Sequence, residues 1–161
     1  MEVFTFHLAT DSEMTEFESK HGIVSRQPAE LFMVFTDMRN FLAFIPEDKK
    51  KDVTADFDTI SAIVQGFNIG VKVDERVPYS RIEFVDCGAP FEFRLVMFFD
   101  AAEGGKTDFH IKLLADLNLM MKMMLGSKIK EAMNKVVDGL VDVCDGKMPE
   151  GFDPSKFNMN G

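Results

Sequence analysis

Two side chains combine acid–base chemistry with an inward-facing parity on a predicted strand: Glu75 and His21. Apolar residues alternate with polar ones from Ile69 to Val77, and Glu75 has the parity of the apolar set. A carboxylate at the mouth of an apolar pocket could orient a ligand, or act as an acid or base with a raised pKa. Alternatively, the strand twists or ends there, and Glu75 reaches water or pairs with a neighbouring arginine.

The same alternation along a strand predicts which way each histidine faces. His21 shares the parity of Phe17 and Ile23, so its imidazole could face inward unless Gly22 forms a bulge that undoes the count. His110 has the opposite parity to its apolar neighbours and is expected to be exposed. His21 is therefore the second acid–base candidate, after Glu75.

The remaining reactive residue types predict no further site. Cys87 and Cys144 have no adjacent base in sequence, so both are interpreted as structural, and two cysteines make no disulfide framework. No grouping of His, Cys, Asp and Glu has metal-ligand spacing. A glycine-rich phosphate loop and a nucleophile elbow are also missing from the sequence. We therefore expect neither a metal nor a cofactor.

Methionines make the other unusual pattern. Met120, Met121, Met123 and Met124 surround Lys122, so this stretch is apolar nearly all round a helix. We expect such a segment to be enclosed in the core, to contact a ligand or to contact a partner chain. Methionine suits all three uses because its unbranched thioether repacks around different shapes.

Composition narrows the class of protein. The chain has 161 residues and a net charge of −9, which makes nucleic acid or anionic lipid a poor partner for the surface as a whole. The run Lys49 to Lys51 is interpreted as a solvated loop. No leader and no apolar stretch of about 18 residues is found, so we expect a cytoplasmic protein without stable membrane insertion.

The domain organisation is simple. Residues 1–13 are interpreted as an N-terminal extension, either a loosely held strand or a segment preceding a start at Met14. Residues 14–146 would form a single domain, and residues 147–161, rich in Gly, Pro and Asn, a flexible tail.

The elements that would position the candidate residues begin with a strand from Phe17 to Arg26. Pro28 suits the first position of a helix, which runs AELFMVFTDM. Asn40 can cap a second short helix, FLAFI, which ends near Pro46.

From Val53 to Leu113 the apolar pattern has a period of two, in six runs separated by turn residues. Short turns join antiparallel strands, so one face of the sheet would be apolar and need a cover. Residues 117–144 predict that cover, an amphipathic helix about 40 Å long that Asp116 or Asn118 could cap. The predicted fold class is α+β, with six to seven antiparallel strands, two short helices after the first strand and one long C-terminal helix across the sheet.

Three segments in this order resemble the START/SRPBCC superfamily, which includes birch-pollen-allergen-like, polyketide cyclase-like and ubiquinone-binding groups. They are IVSRQPAELFMVFTDMRNFLAFIP, VDERVPYSRIEF and GGKTDFHIKL, and the resemblance covers roughly residues 15–145. One departure is that the family usually carries Trp near the second helix, where this chain has Phe44. The resemblance implies a helix-grip fold, in which a curved sheet holds the final helix around a cavity. Family members bind or transfer hydrophobic molecules, some catalyse cyclisation, and others assist chaperones.

The leading prediction is therefore non-catalytic binding or transfer of a hydrophobic small molecule or lipid between the sheet and the long helix. The predicted pocket has Phe41 and Phe44 at its mouth, a sheet wall of Phe91, Phe93, Leu95, Met97, Ile111 and Leu113, and a helix wall of Met120, Met121 and Met124. The same side chains could instead fill the space solid. One alternative is a polyketide cyclase-like enzyme that uses Glu75 or His21, and a second is a chaperone-assisting interaction module.

Overall fold

The computed structural model describes residues 14–64, 66–89 and 91–147. The predicted N-terminal extension and the predicted tail from residue 148 onward lie outside these residues. The strands are β1 (Thr15–Glu18), β2 (Gly22–Val24), β3 (Val53–Ala55), β4 (Thr59–Val64), β5 (Phe67–Val77), β6 (Arg81–Asp86), β7 (Phe93–Ala102) and β8 (Lys106–Ala115). The helices are α1 (Pro28–Phe35) and α2 (Leu119–Cys144), with 3-10 helices at Met38–Phe44, Glu47–Asp52 and Glu103–Gly105.

The strands form one curved, unclosed antiparallel sheet in the order β1-β8-β7-β6-β5-β4-β3, and β2 also pairs with β8. Along β7 and β8 the buried aromatic residues Phe99 and Phe109 face the helices, on what we call the inner face. Directly paired residues lie on the same face, so Phe98 and His110 share the outer face. The predicted α+β helix-grip architecture is confirmed.

The predicted first strand is instead two strands, and this accounts for a sheet of eight in the described residues. The chain leaves the regular ladder after Glu18, where the Ser19 backbone N–H donates to the Ile111 carbonyl at 2.9 Å. The Ile111 N–H in turn donates to the Ser19 hydroxyl at 2.9 Å. This irregularity reverses the alternation, so Gly22 faces α2 while His21 is exposed.

Both short helices form near their predicted positions, and the second has a different cap. Pro28 opens α1, and the Gln27 N–H donates to the Glu30 carboxylate at 3.1 Å. The second helix is a 3-10 helix that begins after Asp37 rather than Asn40, because the Asp37 carboxylate accepts from the Arg39 N–H at 3.0 Å. The lysine run predicted to be a loop lies in the 3-10 helix Glu47–Asp52.

The closing helix α2 begins at Leu119, where the Asn118 side chain accepts from the Met121 N–H at 2.8 Å. Its buried stripe consists of Met133, Val137 and Leu140. A Cβ on Gly22 would lie 2.6 Å from Val137 Cγ1, so the missing side chain lets β2 approach the helix. Within the described residues, no helix has the length and hydrophobicity needed to cross a bilayer.

Candidate ligand pocket

A cavity of about 560 Å³ lies between the second half of α2 and the 3-10 helix Met38–Phe44, above β7 and β8. We call it the aromatic pocket. It is lined by Phe35, Phe41, Phe44, Pro46, Met97, Phe109, Lys135, Val136, Asp138, Gly139, Leu140 and Asp142.

Local structure explains why the phenylalanines converge. A 3-10 helix has about three residues per turn, so Phe41 and Phe44 lie on the same side of the helix Met38–Phe44. Phe35, at the end of α1, lies 5.0 Å from the Phe41 ring and 6.4 Å from the Phe44 ring, measured between centroids. Met97 and Phe109 extend the apolar wall from the inner face of the sheet.

The wall from α2 is uneven. Val136 and Leu140 contribute aliphatic surface, whereas Gly139 contributes no side chain. A Cβ at Gly139 would meet the Phe44 ring at 3.9 Å, an ordinary contact distance. The polar lining residues Lys135, Asp138 and Asp142 all belong to α2, so the charged groups lie along one side of the pocket.

The predicted site residues are distributed over a larger area than this pocket. Phe41, Phe44 and Met97 line it. The other predicted sheet-wall residues all belong to the inner-face core cluster or pack against it: Phe91, Phe93, Leu95, Ile111 and Leu113. Sequence reasoning did not single out Phe35, Phe109, Val136 or Leu140 as pocket residues. The signal was available for the helix, since Val136 and Leu140 are four residues apart in the amphipathic stripe.

The predicted helix wall lies away from the aromatic pocket. Met120 and Met124 are 69% and 63% exposed, and only Met121 packs against the core cluster. Leu119 and Met123 are exposed beside them. We call Leu119, Met120, Met123 and Met124 the methionine face. Whether it binds a ligand stays a prediction.

Glu75 does not continue the inner face. The β5–β6 register shifts between Val73 and Glu75, so Val73 pairs with the core residue Phe84 but Glu75 pairs with Glu83. This bulge adds one residue and exchanges the two faces. As a result Glu75 is exposed, and Arg76 points inward, where it donates to the Thr36 carbonyl at 2.8 Å.

His21 is likewise exposed, and the prediction that His110 is exposed is wrong. His110 is buried on the outer face, where its ring stacks between His21 and Phe98 at 4.0 Å and 4.7 Å. The hydrogen bond to Asp108 raises the pKa of His21, while burial lowers the pKa of His110. Neither histidine lines the aromatic pocket.

The cysteines are both free thiols. Cys87 is exposed, and burial raises the pKa of Cys144 to about 11. Cys144 is therefore protonated and unreactive at neutral pH.

Comparisons with known proteins identify the fold. No protein-family model and no curated protein matches the sequence. Solved structures do match: a Thermobifida fusca protein has a TM-score of 0.64 at 13% identity, over 84% of this chain and 97% of its own.

Two further matches have descriptive names. A START superfamily protein from Mycobacterium smegmatis has a TM-score of 0.54 at 11% identity, over 78% of this chain and 98% of its own. Ara h 8.0201 has a TM-score of 0.50 at 14% identity, over 80% of this chain and 97% of its own. The chain therefore has the same helix-grip fold as these structures.

Proposed function

We propose that the protein binds an apolar small molecule or lipid in the aromatic pocket. The observation that carries this proposal is a cavity of about 560 Å³ with four phenylalanines in its wall. This volume lies inside the range of about 300–1,000 Å³ that is usual for small-molecule sites. The helix-grip fold supports the proposal, because the sheet and the long helix enclose space between them.

The lining determines which ligand chemistry fits. Phe35, Phe41, Phe44 and Phe109 offer no hydrogen-bonding side-chain atom, so they favour hydrocarbon or aromatic surface. Among the described lining residues, all the charged ones belong to α2. The ligand therefore places its apolar part between the rings and any polar group beside the helix. Burial of about 300 Å² of apolar ligand surface would contribute roughly 7 kcal/mol before ordering costs.

Occupancy is tested first by native mass spectrometry of the gently purified full chain, followed by solvent extraction of bound material. An apolar compound present in stoichiometric amount supports the proposal. The neutral probe phenylnaphthylamine gives a second measurement, since its fluorescence rises on transfer to an apolar site. A protein that carries no compound and gives no fluorescence increase would contradict the proposal.

Two glycines of α2 provide a matched pair of variants that locates the site. Gly139→Leu places four carbons in the aromatic pocket, whereas Gly126→Leu places them near Phe17, since a Cβ there would meet that ring at 3.8 Å. If the leucine displaces about four ligand methylene groups at about 0.8 kcal/mol each, affinity falls roughly 200-fold. We expect this loss in Gly139→Leu alone. A loss confined to Gly126→Leu would move the site toward the methionine face.

The two alternatives fit less well. The enzyme needs Glu75 or His21 in the cavity, but both are exposed and neither lines the aromatic pocket. The chaperone-assisting module requires an exposed apolar patch, which the methionine face provides, together with a small or filled interior. The aromatic pocket does not fit the second condition.

A further inference from the structure

A cluster of one carboxylate and two imidazoles lies on the outer face of the sheet, away from the aromatic pocket. Glu18 ends β1, His21 precedes β2, and His110 lies in β8. One ligand atom from each of the three lies within 4.8 Å of the others. The pairing of β1 and β2 with β8 creates this cluster, which no short sequence spacing reveals.

The distances match the coordination shell of a small cation. Glu18 Oε2 lies 3.4 Å from His21 Nε2 and 3.7 Å from His110 Nε2. Ligands about 2.1 Å from a tetrahedral zinc ion are about 3.4 Å from one another. The Nε2 atoms of both histidines therefore lie about as far from Glu18 Oε2 as two ligands of the same zinc ion lie from each other.

His21 also has the outer contact that is typical of a metal ligand. Its Nδ1 lies 2.8 Å from Asp108 Oδ1, which favours a proton on Nδ1, so the neutral ring that binds a metal has its lone pair on Nε2. A carboxylate on the second nitrogen of a ligating histidine fixes the tautomer and the ring orientation. Asp108 would act here as a positioning residue.

His110 supplies an independent observation. Its side chain is only 9% exposed, yet Nδ1 has no hydrogen-bond partner in the described part of the chain. The nearest acceptor to Nε2 among its ion-pair partners, Glu18 Oε2 at 3.7 Å, is beyond hydrogen-bonding distance. A cation on Nε2 would give this buried ring a polar interaction at that nitrogen, while Nδ1 would still have no partner among the described residues.

We propose that Glu18, His21 and His110 bind one divalent transition-metal ion, with a water molecule in the fourth position. Two imidazoles and one carboxylate suit Zn²⁺, whereas Mg²⁺ and Ca²⁺ prefer oxygen ligands alone. The rings of His21 and His110 stack at 13°, so the exposed His21 ring must tilt to direct its lone pair at the ion. The ion would fasten the interrupted β1–β2 segment to β8, on the sheet face opposite the aromatic pocket.

The test is a titration of the full chain with Zn²⁺ in competition with a fluorescent chelator. Co²⁺ serves as a spectroscopic probe because four-coordinate Co²⁺ absorbs strongly in the visible range. We expect one site, with affinity reduced at least about tenfold by His21→Ala and by Glu18→Gln. His7→Ala, outside the described residues, is the matched control and should bind as the native chain does.

Asp108→Asn tests the positioning contact separately and should weaken Zn²⁺ binding about 10–100-fold while Glu18, His21 and His110 remain. The melting temperature of the native chain should rise with Zn²⁺, and that of His21→Ala should not. The proposal is overturned if the native chain binds no Zn²⁺, if His21→Ala and Glu18→Gln bind as tightly as the native chain, or if His7→Ala loses binding equally.

Discussion

The approach of β2 to α2 gives the most quantitative prediction for the fold. A Cβ on Gly22 would lie 2.6 Å from Val137 Cγ1 and 2.8 Å from Val141 Cγ2. Carbon atoms in contact normally lie about 3.5–4.0 Å apart, so each approach is short by about 1 Å. Val137 is fully buried and cannot move into solvent. Overpacking of this kind costs about 1–3 kcal/mol, so we expect Gly22→Ala to lower the free energy of unfolding by about 2 kcal/mol.

The assay is urea unfolding followed by far-UV circular dichroism, because the chain contains no Trp and one Tyr. Gly139→Ala is the matched control, since its Cβ would meet its nearest atom at 3.9 Å. Alanine in a helix is favoured over glycine by about 1 kcal/mol, so this variant should be neutral or more stable.

A double-mutant cycle then isolates the contact. Val137→Ala removes one of the two methyl groups that a Cβ on Gly22 would meet, so it should recover at least about 0.5 kcal/mol of the loss in the Gly22→Ala background. The reasoning is refuted if Gly22→Ala is as stable as Gly139→Ala, or if the two substitutions are additive within about 0.3 kcal/mol.

Three other predictions concern the thiols, an acidic cap and a helix start. Iodoacetamide should alkylate Cys87 much faster than Cys144 at neutral pH, because the pKa of Cys144 is about 11; peptide mass spectrometry showing equal rates would be inconsistent with this. The Arg39 guanidinium lowers the pKa of Asp37, so its contribution is present above about pH 4 and disappears as pH falls through the folded-state pKa. Asp37→Asn should therefore be less stable by under about 1 kcal/mol at neutral pH, and this difference should shrink as pH falls below about 4; a pH-independent difference would disagree. Asn118→Ala should cost about 1 kcal/mol in urea unfolding through loss of the cap on α2, and an unchanged midpoint would argue against that cap.

Local patterns predicted the elements well because each element is specified by residues close together in sequence. Pro28 marks the start of α1, and the period of two marks the strands. The stripe that includes Val137 and Leu140 marks the buried face of α2. Since short turns leave antiparallel pairing as the simplest arrangement, the patterns predicted an antiparallel sheet covered by the last helix, and the resemblance to the START/SRPBCC superfamily implied the helix-grip fold.

Side-chain direction was harder to predict because one irregular residue reverses a whole face. The bulge between Val73 and Glu75 turns that carboxylate outward, and the interruption after Glu18 does the same to His21. Bulges have no reliable sequence signature, so parity counted across them fails. The Glu18–His21–His110 cluster was missed for a related reason, since strand pairing brings together residues as much as 92 apart in sequence.

The position of the pocket along α2 also escaped prediction. The apolar character of Met120 and Met124 led us to predict a pocket wall there. These side chains are exposed, and the aromatic pocket lies near Gly139. A cavity depends on where side chains are missing, as at Gly139, as well as on where apolar ones are present. That geometry emerges only when the helix and the sheet are assembled.

The most direct measurement of ligand position is an NMR titration. The chain is labelled with ¹³C at its methionine methyl groups, and phenylnaphthylamine is added stepwise. Met97 lines the aromatic pocket, whereas Met123, 77% exposed, lies on the methionine face. Binding in the aromatic pocket predicts a saturable shift of the Met97 methyl resonance and no change at Met123. A shift at Met123 with Met97 unchanged would contradict it.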